Sequence, residues 1–333
     1  MFNEYLDLLA KKDLKIIDLF VDSIGIKDND ELLLDIDNAK VYFQNLFKKE
    51  ITILSALKED SHLIIYLLID KVKYVQKVTM KEKINKIVTT LESEYKRIRL
   101  DIAYNGSNYY GFQKQSLKPS IQDALERALF KITKSEIKVT GASRTDAKVH
   151  AIKQVVHFDV NIDLPCEKWV SLLNYFLPKD IRVLMAYNVS PLFHSRFDVI
   201  KKEYKYFLSL DEIDPFRVNF VNYTNINDFD LFVKESKSFI GEHDFYSFSK
   251  GEKEDTVRTI YNFDIKRNEK EIEITIVGDG FLHNMIRLMI GALLDIANNR
   301  QNMTIDEIIK RKDKNLTKRI ALAEGLYLAN IYY

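Results

Sequence analysis

The chain has 333 residues, of which 46% are hydrophobic and 12% aromatic, enough apolar material for more than one packed core. Its formal net charge of +1 gives no argument for a polyanionic partner, and its single cysteine, Cys166, excludes an internal disulfide and a multi-cysteine metal site. The sequence has neither an apolar run of the roughly 18 to 20 residues that span a bilayer nor a secretory signal, which predicts a cytoplasmic protein without a membrane span.

Residues 1–94 differ in charge from the rest of the chain. They hold 14 Lys and Arg against 17 Asp and Glu, a balance that weakly favours contact with protein over contact with RNA. Helical patterns near Tyr5–Phe20 and Ala39–Phe47 precede a strand-like stretch over Leu63–Val75. We predict a mixed α/β N-terminal extension whose role the sequence does not reveal.

Residues 95–200 alternate between strand and helix patterns. Apolar side chains at period two predict strands over Arg97–Ala103 and Gln154–Val160. Between them, Ser120 and Asp123 form a capping-box signature at the start of an apolar stripe with helical spacing. A short strand near Ile137–Gly141, a helix over Lys168–Phe176 and a strand over Ile181–Tyr187 complete the order β-α-β-β-α-β.

Residues 201–333 repeat this order. The predicted strands are Glu203–Leu210, Thr256–Ile265, Glu271–Val277 and Leu326–Tyr332, and the predicted helices are Phe229–Ile240 and Phe281–Asn298. An additional helix begins near Thr304, where Glu307 completes a capping box. The sequence therefore predicts an α+β fold of two tandem ferredoxin-like halves, with a catalytic cleft at their seam.

A polar loop between two predicted strands, over Gly141–Ala151, contains Arg144 and Asp146. Loops on a rigid scaffold often carry active-site residues. A carboxylate acts as a base or nucleophile at neutral pH only if its surroundings keep it ionised. Asp146 is therefore our candidate catalytic carboxylate, and a nearby cation would keep it charged.

The predicted helix over Phe281–Asn298 supplies such a cation. Apolar residues cover most of this helix, and Arg287 is its only Lys or Arg. A buried guanidinium needs a carboxylate in bidentate geometry to offset its desolvation, and we take Asp146 as that partner. Asp295, on the same helix, is a rival partner. A purely structural ion pair between the halves is an equally weighted alternative.

Several side chains are candidates for contact with RNA. Tyr204 lies on an alternating strand and is either a core residue, which the pattern favours, or a surface on which an extruded base stacks. Gln113 and Gln115 lie in a loop, and Arg196 and Lys202 lie near the predicted seam. The histidines lack metal-ligand spacing, so the sequence predicts no metal site.

Five segments, in the same order, resemble motifs of the TruA family of pseudouridine synthases. They are Leu100–Gln115, Ser143–Ala151, Phe193–Tyr206, Phe281–Gly291 and Ala323–Leu328. The resemblance implies that Asp146 is the catalytic aspartate, Arg287 its ion-pair partner and Tyr204 the residue packed on the target uracil. It also implies that Arg144 aids base flipping.

The implied reaction converts uridine to pseudouridine at positions 38, 39 and 40 of the tRNA anticodon stem-loop. The resemblance implies a homodimer whose tRNA contacts both subunits, and no cofactor or metal. Ser143 and Lys148 stand where this family commonly has glycine. If position 148 is left-handed, lysine there costs about 1 kcal/mol.

Two other functions compete with this interpretation. The altered glycines and neutral net charge permit an RNA-binding protein without catalysis, although binding alone requires no pair of carboxylate and guanidinium. A hydrolase unrelated to RNA would need a second catalytic carboxylate, a triad or a metal constellation, and the sequence offers none of these.

Overall fold

The computed structural model describes residues 96–189, 193–251 and 255–333 with their side chains, and the backbone of six strands between residues 25 and 89. The chain divides into two compact units: residues 1–95 with 190–192, and residues 96–189 with 193–333.

The described part of the first unit consists of two three-stranded sheets. Its strands are β1 (Gly25–Asp28), β2 (Glu31–Leu34), β3 (Ile51–Glu59), β4 (His62–Ile69), β5 (Val72–Thr79) and β6 (Ile87–Thr89). The sheet orders are β1-β2-β6 and β3-β4-β5. The stretch predicted as strand-like over Leu63–Val75 is two antiparallel strands, because Ile69 pairs with Val72 and the chain reverses between them. The helices predicted near Tyr5–Phe20 and Ala39–Phe47 lie outside the described residues.

The second unit combines ten strands with five α-helices in its described residues. The strands are β7 (Lys96–Tyr104), β8 (Thr140–Gly141), β9 (His150–Val160), β10 (Ile181–Val189), β11 (Lys201–Ser209), β12 (Asn222–Tyr223), β13 (Gly241–Asp244), β14 (Val257–Arg267), β15 (Glu271–Gly278) and β16 (Leu326–Tyr332). The helices are α1 (Ile121–Thr133), α2 (Cys166–Phe176), α3 (Phe229–Ser236), α4 (Met285–Ala297) and α5 (Ile305–Arg311).

The ten strands form one sheet in the order β10-β7-β9-β16-β11-β15-β14-β13, with β8 beside β9 and β12 beside β11. Most neighbours are antiparallel, whereas β11 and β12 are parallel, as are β9 and β16, which pair His150 with Tyr327. Residues 142–149, which we call the Asp146 loop, lead directly into β9 and thus lie beside the C-terminal strand. This mixed α/β architecture with a mostly antiparallel sheet agrees with the predicted class at that level.

Local signals explain where two helices begin. The Ser120 hydroxyl accepts a hydrogen bond from the Asp123 amide (3.3 Å) and starts α1. Thr304 and Glu307 form a complete capping box at the start of α5, as the sequence predicted. None of the helices in the described part of the chain combines the length and apolarity needed to cross a membrane.

Several predicted boundaries were wrong, among them the start of β9, which begins at His150 and not at Gln154. Helix α4 begins at Met285 and not at Phe281, because Asn284 before it takes a left-handed conformation (φ 60°). Helix α3 ends at Ser236, and a 3₁₀ turn replaces its predicted last turn. The strand predicted near Ile137–Gly141 is reduced to the two residues of β8.

Candidate active site

The backbone of the Asp146 loop is fixed against the segment that follows β7. The Phe112 amide donates to the Thr145 carbonyl (3.1 Å). Gly111 has φ 90°, and a Cβ there would lie 2.6 Å from the Thr145 oxygen. A Cβ at Gly106 would lie 2.0 Å from the Val149 oxygen. Both positions therefore require glycine, because backbone meets backbone at these points.

Buried polar side chains hold the same loop from the sheet. Gln154 is fully buried, and its amide donates to the Ser143 carbonyl (2.7 Å) and accepts from the Ser143 amide (3.2 Å). The Tyr104 and Thr145 hydroxyls form a hydrogen bond of 2.8 Å. Sequence reasoning missed this role of Gln154, although a polar residue inside an apolar strand was its signal. These contacts fix the loop that carries Asp146.

Arg287, from the first turn of α4, lies against the Asp146 carboxylate. The distance from Nη1 to Oδ2 is 3.4 Å, and the two side chains are 17% and 24% exposed. The predicted bidentate geometry was wrong, because Nε donates to the Ala321 carbonyl (2.7 Å) and Nη1 also donates to Asn284 Oδ1 (3.0 Å). The guanidinium is thus positioned by three acceptors, of which the carboxylate is one.

The rival partner, Asp295, is engaged elsewhere. Its carboxylate lies 3.1 Å from the Arg319 guanidinium. Every residue of α4 is buried except Arg287 and Asp295. Each of these two charged residues has an ionic partner of its own. The pairing follows from desolvation, since a half-buried charge is costly without an opposite one.

Tyr204 is buried beside the Asp146 loop. It is 5% exposed, its hydroxyl forms a 2.9 Å hydrogen bond with Ser143 Oγ, and Phe281 contacts its ring edge to face at 5.1 Å. Burial raises the pKa of Tyr204 to about 12, although the Ser143 hydrogen bond opposes that rise. Its phenol is therefore neutral at physiological pH. Lys202 Nζ donates to the Ala142 carbonyl (3.0 Å) and to Ser143 Oγ (3.4 Å).

These groups surround a cavity of about 310 Å³, which we call the first cavity. Six of the predicted site residues line it: Arg144, Asp146, Arg196, Lys202, Tyr204 and Arg287. Gln113 and Gln115 line an adjoining space, the second cavity, which shares Arg144, Asp146 and Arg287 with the first. The fold therefore brings together a carboxylate, a guanidinium, a phenol and further cations from both halves of the sheet.

Comparison with known proteins identifies the chain's relatives. A family model described as tRNA pseudouridine synthase matches residues 102–198 and 236–333. The chain belongs to this family. A tRNA pseudouridine synthase A of an Exiguobacterium species is 37% identical over 242 residues, covering 72% of this chain and 98% of the relative. The enzymes named tRNA pseudouridine synthase A from Bacillus subtilis and tRNA pseudouridine synthase A 2 from Clostridium tetani are each 39% identical, covering 71% and 72% of this chain and 99% of each relative.

One position of the Asp146 loop shows how this pseudouridine synthase accommodates an unusual residue. Lys148 has φ 66°, the left-handed conformation considered from the sequence. Its ammonium lies 2.9 Å from Glu324 Oε1. Burial alone raises the pKa of Glu324, but Lys148 reverses that effect and leaves it below its usual value. The ion pair thus joins the loop to the segment before β16.

Two further residues that line the first cavity were not among the site residues predicted from the sequence of this synthase. His283 Nε2 lies 3.6 Å from Asp146 Oδ1, and its side chain is 62% exposed. Phe281 lines the first cavity against Tyr204. Both precede α4, within a motif whose arginine alone drew attention. The described residues contain no group of three His, Cys, Asp or Glu side chains able to hold a metal.

Proposed function

We propose that this chain converts uridine to pseudouridine at positions 38, 39 and 40 of the tRNA anticodon stem-loop, with Asp146 as the catalytic carboxylate. The family acts on tRNA uridine, and the three positions come from the resemblance of the five motifs. The observation that carries the proposal is the first cavity, where Asp146, Arg287 and Tyr204 meet in about 310 Å³. Such a space suits a single extruded base.

The isomerisation breaks the bond from N1 of uracil to C1′, forms a bond from C5 to C1′ and transfers a proton from C5 to N1 overall. Asp146 either adds to the base, adds to the ribose or removes a ribose proton. Arg287 holds the carboxylate in place through the contact of Nη1 with Oδ2 at 3.4 Å. Tyr204 contacts the uracil. We assign its neutral hydroxyl to relay of the C5 proton: the phenol oxygen accepts that proton while the hydroxyl passes its own proton to a hydrogen-bond partner.

The remaining cavity residues bind and extrude the substrate. Arg144, which is exposed on the Asp146 loop, supports the flipped state of the base. Arg196 and Lys202 line the same cavity and contact phosphates next to the target. Gln113 and Gln115, in the second cavity, contact the RNA outside the reacting nucleotide.

We further propose that residues 95–200 and 201–333 are two ferredoxin-like halves. The strand orders β10-β7-β9-β8 and β16-β11-β15-β14 support this, because each orders its four strands fourth, first, third, second. The resemblance also supports a cytoplasmic homodimer that binds tRNA with both subunits.

Residues 1–94 are an extension that the enzyme does not need for folding. We expect residues 95–333 to fold and convert tRNA after its deletion, since the second compact unit begins at Lys96. Aggregation of the shortened chain, or loss of its activity, would contradict this.

The test uses stem-loops that carry one 5-tritiated uridine at position 38, 39 or 40 and cytidine at the other two. Tritium release reports departure of the C5 proton, and mass spectrometry of the digested RNA identifies pseudouridine. Conversion at all three positions is the expected result. Binding without conversion would replace the proposal with an RNA-binding function.

A further inference from the structure

The second cavity adjoins the proposed site of the reacting uracil, and the proposal above gives its two glutamines an RNA contact without naming what occupies the cavity. It holds about 650 Å³ and opens beside the Asp146 carboxylate. Arg144, Asp146 and Arg287 line both this cavity and the first cavity. Because neighbouring nucleotides are covalently linked, an RNA whose uracil occupies the first cavity must place an adjacent nucleotide close by.

Tyr110 gives this cavity an ordered aromatic surface. Its side chain is 48% exposed, but its backbone amide donates to the Pro119 carbonyl (2.9 Å) and its carbonyl accepts from the Gln115 side chain (2.9 Å). The Lys118 ammonium lies 4.6 Å from the ring centroid. Because the backbone of Tyr110 is anchored and Lys118 lies over its ring, we expect the half-exposed ring to lose little conformational entropy when a base stacks on it.

The other walls carry groups that read polar base edges. Gln113 is exposed in the cavity, and the amide of glutamine both donates and accepts hydrogen bonds. The ion pair of Lys148 and Glu324 also lines the cavity and gives it one positive and one negative side chain. A pocket that combines an aromatic face with an amide suits an unpaired nucleobase.

We propose that the second cavity binds the nucleotide adjacent to the target uridine, with its base stacked on Tyr110 and its polar edge contacting Gln113. This inference rests on the proposed function, because it assumes that the target uracil occupies the first cavity. It makes Tyr110 and Gln113 determinants of the sequence context in which a uridine is modified.

The experiment compares the native chain with Tyr110→Ala on a stem-loop that has a single target uridine. Three RNAs are used: one intact, one abasic at the 5′ neighbour and one abasic at the 3′ neighbour. We expect the native chain to lose about tenfold in affinity for one of the abasic RNAs, as stacking on an aromatic side chain predicts. Tyr110→Ala should lose about as much on the intact RNA and nothing further on that abasic RNA.

Three further variants sharpen the result. Tyr110→Phe should retain native affinity, since stacking needs the ring and not the hydroxyl. RNAs that carry A, C, G or U at the neighbour identified in this way should all bind Gln113→Ala with similar affinity. Tyr175→Ala removes an 80% exposed tyrosine from α2, outside both cavities, and should bind as the native chain does.

If neither abasic RNA binds the native chain more weakly than the intact RNA, the second cavity does not hold a neighbouring base, and the inference is wrong. Conversion of the target uridine in that same experiment would leave the proposed function standing. If the native chain converts no uridine in any RNA, both proposals fall.

Discussion

The two segments that bring Asp146 and Arg287 together are stabilised in different ways. The Asp146 loop is held by polar contacts, chiefly from Gln154 and Tyr104. Helix α4 is held by burial, since all its residues except Arg287 and Asp295 are buried. Removing a polar contact from the loop should therefore impair positioning before it impairs folding. A change inside α4 should impair folding first, unless it falls on Arg287, whose side chain faces the cavity.

The largest effect short of removing the carboxylate is expected from Arg287→Gln. It leaves Asp146 without the guanidinium that positions it, and we expect conversion to slow by about 1000-fold, which corresponds to about 4 kcal/mol of activation free energy. Single-turnover conversion of a labelled stem-loop measures it. Arg319→Gln is the matched control, because it breaks the other ion pair of α4, outside the cavity. Equal loss of rate in the two variants would show that the helix is destabilised as a whole.

Tyr204→Phe tests whether the phenol takes part in chemistry or only packs. We expect conversion to slow by about 100-fold at unchanged RNA affinity, the lower end of general acid–base contributions. Tyr206→Phe is the control. Tyr206 lies on the same strand as Tyr204, and its hydroxyl donates to the Leu322 carbonyl (2.7 Å), so its loss should affect thermal stability alone. A native rate for Tyr204→Phe would restrict Tyr204 to packing against the base.

The sequence identified site residues where a residue departs from the pattern around it. Arg287 is the single Lys or Arg in the apolar stripe of α4, and Asp146 lies in a polar segment between the strands β8 and β9. The bidentate geometry of Arg287 was not predictable, because the competing acceptor is a backbone carbonyl at Ala321, brought close only by the fold. The role of Gln154 was missed for the same reason: its partners lie across a strand pair.

Ser143→Ala should have a smaller effect. It removes one hydrogen bond from the Tyr204 hydroxyl, worth about 1 kcal/mol, so we expect about a fivefold slower conversion at unchanged affinity. Ser195→Ala removes a buried hydroxyl that contacts His157 (2.8 Å) outside the cavities, and it should lower thermal stability with the rate intact. If both variants convert the RNA more slowly, the effect of Ser143→Ala would reflect lower stability of the fold and not the lost contact to Tyr204.

The smallest effect concerns Lys148, where backbone strain and an ion pair oppose each other. Lys148→Ala keeps the left-handed strain and loses the contact to Glu324, whereas Lys148→Gly loses the contact and relieves the strain. We expect the glycine variant to be more stable than the alanine variant by about 1 kcal/mol, measured by urea unfolding. Equal stabilities would show that the loop pays no conformational cost at this position.

The central claim is that Asp146 performs the chemistry and that the rest of the cavity binds and positions the RNA. Its most direct test is single-turnover pseudouridine formation on a labelled anticodon stem-loop by the native chain and by Asp146→Asn, with the dissociation constant of each measured on the same RNA. The account predicts conversion by the native chain, and binding of similar affinity without detectable conversion by the variant. Conversion by Asp146→Asn at the native rate would contradict it.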